Sequence, residues 1–127
     1  MRTFLFYIGF ATLVAHEMDA IMHKEWRLLY FFRKLPEDIA STLFIGAHVP
    51  LLTLLMWLAH HGSSTVQQGT RSAIALFLVI HTVIHRRLEQ HPVYTFHSWL
   101  SKSLIYGSGL LGCLYLLLTV WSGSQIT

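Results

Sequence analysis

The sequence predicts an all-α protein, an antiparallel four-helix transmembrane bundle forming one domain over residues 1–127. Three observations predict it. The chain is 54% hydrophobic and only 12% charged, against about 25% charged in soluble domains, and its mean hydropathy is +0.51. Four apolar stretches read as helices over about 3–22, 39–59, 71–88 and 103–121, each near the ~20 residues that cross a ~30 Å hydrocarbon layer. Most Lys and Arg fall in the connections between these stretches, where they report topology.

The first helix starts near Thr3. With no Pro or Gly between Ala11 and Leu35, it can end at Met22 or continue to Phe32. Leu13-Val14-Ala15 lacks the small outer residue of an A-x-A cleavage site, so this segment is expected to stay on the chain. From Lys24 to Lys34, basic and aromatic residues mix (Trp26, Arg27, Tyr30, Phe31, Phe32, Arg33), as in an interfacial belt. Pro36 then sits near a first helical position, with Glu37 and Asp38 suited to the positive helix end.

The second helix carries one polar outlier, His48, and Pro50 two residues on, which removes a backbone hydrogen bond and predicts a kink. Residues 60–69 read as a polar loop with solvated His60 and His61. The third helix contains His81 and ends near His85, four residues on and on the same face. Residues 86–99 alternate charge with aromatics, too polar to span, and are expected at the membrane surface. In the fourth helix, Gly107, Ser108, Gly109 and Gly112 permit close helix contact.

Composition also excludes classes. A single cysteine, Cys113, allows no disulfide framework and no CxxC metal motif within one chain, and reads as a small packing residue. The net charge of +3 is spread over loops, which argues against a nucleic-acid footprint. Lys24, Arg27, Arg33 and Lys34 lie in one loop and Arg86, Arg87 and Lys102 in another, against Arg2 and Arg71 on the opposite side. The positive-inside rule therefore puts both basic loops in the cytoplasm and both termini outside.

The stretch around which the chain is organised is Ala15-His16-Glu17-Met18-Asp19, continuing to His23. Ionisable groups are costly inside a membrane and by default mark a functional site. His16, Asp19 and His23 share one helical face, while Glu17 projects about 100° away. From the outer side His16 lies about 20 Å deep and His81 about 15 Å, and His48 lies about 14 Å from the inner side, so three helices place polar groups in one slab. Neutral imidazole is the commonest metal ligand, and a neighbouring carboxylate suits Zn, Fe or Mn. Helical bundles build such sites from i,i+3 and i,i+4 pairs, here His16/Asp19 and His81/His85. The expected ligands are His16, Asp19, His48, His81 and His85, with Glu17 as a catalytic base. His16-Glu17 starts like an HExxH zinc motif, but Ala20 stands where the second histidine would be.

His16-Glu17-x-Asp19-Ala20, Glu25-Trp26-Arg27, Ala47-His48-x-Pro50, His81-x-x-x-His85 and His91-Pro92-x-Tyr94-x-Phe96 with Ser98 together resemble a family of small bacterial four-helix membrane proteins, a domain of unknown function. The resemblance covers nearly the whole chain. It implies a four-span protein of the bacterial inner membrane and supplies no activity.

The leading expectation is an intramembrane site for a divalent transition metal, Zn or Fe, in a small enzyme or redox protein acting on a lipid-soluble substrate. The expected partners are membrane lipid and a second copy of the chain, with no nucleic acid. Three other readings use the same residues: a proton or ion relay or transporter subunit, a bis-His haem protein with His48 facing His16 or His81, and a structural protein whose polar groups only lock its helices.

Overall fold

The computed structural model describes residues 1–123. Among them it contains four long helices and no strand: α1 (Arg2–Met22), α2 (Glu37–Ala59), α3 (Ser64–Leu88) and α4 (Trp99–Gly123). A short 3-10 turn, Glu25–Arg27, follows α1. Three of the helices, α1, α2 and α4, are long and apolar enough to cross a membrane. The apolar middle of α3 is flanked by polar turns at both ends, Ser64-Thr65-Val66-Gln67-Gln68 and His85-Arg86-Arg87, which lower its average.

α1 stops at Met22 rather than running on to Phe32. Lys24 adopts the left-handed conformation (φ 53°, ψ 48°), which costs a non-glycine residue roughly 1–2 kcal/mol. Burial of the Trp26 ring two residues on offsets that cost. α3 begins at Ser64, about two turns before the expected start, because Ser63 precedes residues that tolerate a helix and its carbonyl accepts from Gln67 N at 3.0 Å. α4 likewise starts early, at Trp99. The Ser98 hydroxyl caps it by accepting from Ser101 N at 2.9 Å. α2 is one helix with Pro50 inside it.

The helices meet through small residues. A Cβ added at Gly112 would stand 2.5 Å from the Ala75 carbonyl oxygen, and one at Gly109 would stand 2.5 Å from Thr82 Oγ1. α4 therefore approaches α3 at a distance that only glycine allows at these positions. Thr82 Oγ1 donates across the same contact to Ile105 O at 2.7 Å. α4 packs on both α1 and α3, whereas α2 packs on α3 and the 3-10 turn. Most of α2 faces outward, with Leu43, Val49, Leu54 and Trp57 exposed. Cys113 is exposed on α4 rather than packed.

Two apolar clusters result. One gathers Ala20, Trp26, Phe44, Tyr94, Phe96 and Ile105; the other gathers Phe6, Ala59, Ile74, Ala75 and Tyr115. Residues 86–99, expected at the membrane surface, carry Tyr94 and Phe96 into the protein interior. Both rings are buried, and the connection between α3 and α4 dips into the helical core.

Candidate metal centre

α3 projects His81 and His85 from one face, since residues four apart overlie one another. α1 brings His16 against them. The left-handed turn at Lys24 reverses the chain after α1 and carries Glu25 back to the same point. His16, Glu25, His81 and His85 are all buried, and one ligand atom from each lies within 4.8 Å of all the others. His16 Nε2 and His81 Nε2 are 2.9 Å apart. Glu25 Oε2 is 3.4 Å from His16 Nε2, and Glu25 Oε1 is 3.5 Å from His85 Nε2.

Those spacings are close to the edges of a metal's coordination polyhedron. Bonds of about 2.05 Å separate neighbouring donors by ~3.4 Å in a tetrahedron and ~2.9 Å in an octahedron. The alternative, a hydrogen-bonded knot, should satisfy every buried polar atom. Here Glu25 Oε2 is buried without a hydrogen-bond partner. Glu25 Oε2 is near His16 Nε2 yet not aligned with it as a hydrogen bond. Two Nε atoms pointing at each other require either one shared proton or one cation between them. The residues present thus fit a divalent metal.

The surroundings are apolar and hold the ligands in place. The Phe96 ring lies 5.0 Å from the His85 ring and 5.6 Å from the His16 ring, and Phe77 lies 5.2 Å from His81. Tyr94 OH is 3.3 Å from His85 Nδ1, the outer contact that fixes a ligating imidazole's tautomer and orientation. Burial pushes the Tyr94 hydroxyl up, with the charges of Glu89 and Glu25 adding to the effect, so it stays protonated. Burial alone would raise Glu25, but the closeness and charge of His16 and His85 outweigh it and hold its carboxyl well below the usual carboxylate range. The carboxylate is therefore ionised at neutral pH.

Of the residues expected from sequence, His16, His81 and His85 come together. Asp19 does not join them. It is buried, but its Oδ1 lies 3.2 Å from His23 Nδ1, one turn along its own helix. His48 also stands elsewhere, because it meets Glu17: its Nε2 is 2.9 Å from Glu17 Oε2, and its Nδ1 donates to Phe44 O at 2.7 Å. The 100° between Glu17 and His16 turns Glu17 away from the histidine cluster and toward α2. Glu25, read from sequence as part of an interfacial belt, is the residue that sequence reasoning missed. Without Pro or Gly nearby, nothing in the sequence marks the chain reversal at Lys24 that brings it in.

The model of one protein family, described as "Family of unknown function (DUF6713)", matches residues 2–122. Comparison with curated proteins and with solved structures finds no match.

Proposed function

We propose that this chain, which belongs to that family of unknown function, is a membrane metalloprotein that binds one divalent transition metal between His16, Glu25, His81 and His85. The observation that carries the reading is the convergence of three imidazoles and an ionised carboxylate, all buried, within 4.8 Å. A bound metal would act as a Lewis acid and lower the pKa of its water. Three nitrogens and one oxygen suit Zn, Fe or Mn. Zinc would be held fully by these four residues, whereas iron or manganese, which take more ligands, would leave room for water or a substrate.

The placement proposed is an antiparallel bundle of four spans in a bacterial inner membrane, with both basic loops in the cytoplasm, both termini outside and α3 as the fourth span. Substrates would be lipid-soluble, since no sizeable water-facing region exists among the described residues. Bis-His haem with His48 facing His16 or His81 is not favoured, because His48 Nε2 meets Glu17 Oε2 at 2.9 Å while His16 Nε2 and His81 Nε2 stand 2.9 Å from each other. A relay reading draws on buried Asp19, whose Oδ2 has no hydrogen-bond partner. It predicts pH-dependent flux in proteoliposomes that Asp19→Asn abolishes, in protein without metal.

The deciding experiment is elemental analysis of detergent-purified protein never exposed to chelator. The expected result is about one metal per chain, lost in His81→Ala and Glu25→Gln and kept in His48→Ala. Absence of metal from the wild-type protein, with no uptake on supplementation with Zn, Fe or Mn, overturns the proposal.

A further inference from the structure

α1 and α2 are tied at two levels and stand apart between them. At one level Tyr7 OH and His60 Nε2 are 3.0 Å apart, with the rings stacked. At the other, His48 Nε2 faces Glu17 Oε2 at 2.9 Å. At the helical rise, the residues from Tyr7 to Glu17 cover about 15 Å. Between the two ties lies a half-open cavity of ≈ 430 Å³, with Leu13 from α1, Leu55 from α2 and Phe77 from α3 in its walls. Its volume is in the range of small-molecule sites, about 300–1,000 Å³. Apart from Thr70, its polar lining consists of Glu17 and His48.

That pair defines what the cavity recognises. His48 Nδ1 donates to the Phe44 carbonyl, so Nε2 and Glu17 Oε2 share one proton between them. Among the described residues only Oε2 of Glu17 is engaged by a side chain. Oε1 therefore remains as an acceptor at the end of an apolar slot. A hydrocarbon chain leaves that acceptor unsatisfied. A fatty acid opposes it with a second carboxylate. A hydroxyl donates to it while the rest of the molecule lies along leucine and phenylalanine.

We propose that the cavity binds an uncharged long-chain alcohol, its hydroxyl donating to Glu17 and its apolar body lying in the slot between α1, α2 and α3. The proposal rests on the membrane placement above but not on the metal.

The test is photolabelling of the full chain in phosphatidylcholine nanodiscs with a diazirine-bearing hexadecanol, with metal content measured on the same preparations. Label is expected in peptides carrying Leu13, Leu55 or Phe77. Unlabelled hexadecanol should compete about tenfold better than palmitate or hexadecane. Ala73→Trp, which fills the cavity from an exposed lining position, should lower labelling about tenfold while metal content is unchanged. If that variant loses its metal as well, Leu51→Trp, exposed on the facing wall, decides instead. Equal competition by hexadecane means the slot holds only bulk lipid, and equal competition by palmitate means the head group is not read; either result overturns the proposal. So does labelling that persists in the filled variant. Specific labelling of a protein that proves metal-free overturns the metal reading alone.

Discussion

His16 and Glu17 are neighbours in the chain and face two different interiors. His16 looks into a crowded point where four ligand groups meet and Glu25 Oε2 has no hydrogen-bond partner. Glu17 looks into an open slot and is matched one-to-one with His48. A turn of about 100° along one helix separates them. The difference shows that a run of ionisable residues in an apolar helix need not form one site. Crowding without hydrogen-bond satisfaction points to a cation, while a satisfied pair beside empty space points to an organic ligand.

The contrast can be broken most severely on the crowded side. His81→Ala or Glu25→Gln should reduce bound metal from about one per chain to below ~0.1, because each removes a donor from a buried set that cannot be rebuilt by water. If either variant kept its metal, the distinction between the two interiors would collapse. A smaller effect is expected from Tyr94→Phe, which leaves the ligands intact but frees His85 Nδ1. Metal affinity should weaken by about 10–100-fold in competition with a calibrated chelator.

On the open side, His48→Ala should leave metal content untouched and cost about 1–2 kcal/mol of stability, since part-buried Glu17 loses its partner. Thermal melts in detergent read that loss. Paired with Glu17→Leu, the two costs should be less than additive, because the second change removes the orphan left by the first.

The mildest probe is pH in metal-free protein. Glu25 has a folded pKa below its unfolded value, so its ionised form stabilises the fold. That contribution is fully present above the unfolded value of about 4.3 and is lost as pH falls through the folded one. The stability difference between wild type and Glu25→Gln should therefore shrink as pH falls below ~4. A difference that grew over that acidic range would reverse the sign assigned to Glu25.

The four apolar stretches were legible from hydropathy, and His81 and His85 from their spacing of four. His16 was legible as an ionisable residue deep in an apolar helix. The ends of α3 and α4 were not, because Gln67, Gln68 and Ser98 read as loop residues by polarity although they support helix by propensity or capping. Asp19 shares the face of His16 in a helical projection, but its neighbour His23 engages it first. Glu25 could not be placed at all. Its position follows from a backbone conformation at Lys24 that no residue type there announces, and from tertiary burial of Trp26.

That reversal at Lys24 has a consequence for how the protein is made. His16 and Glu25 are synthesised together and can face each other as soon as the chain turns, but His81 and His85 emerge only after all of α2 has been threaded. For that interval Glu25 and His16 lack two of the four groups that converge in the folded chain. A metal captured early would sit in an incomplete cradle that α3 later closes, so the chronology of translation favours loading after α3 has arrived. Metal starvation during expression should then leave inserted but chelator-permeable protein that metal added after purification can still fill.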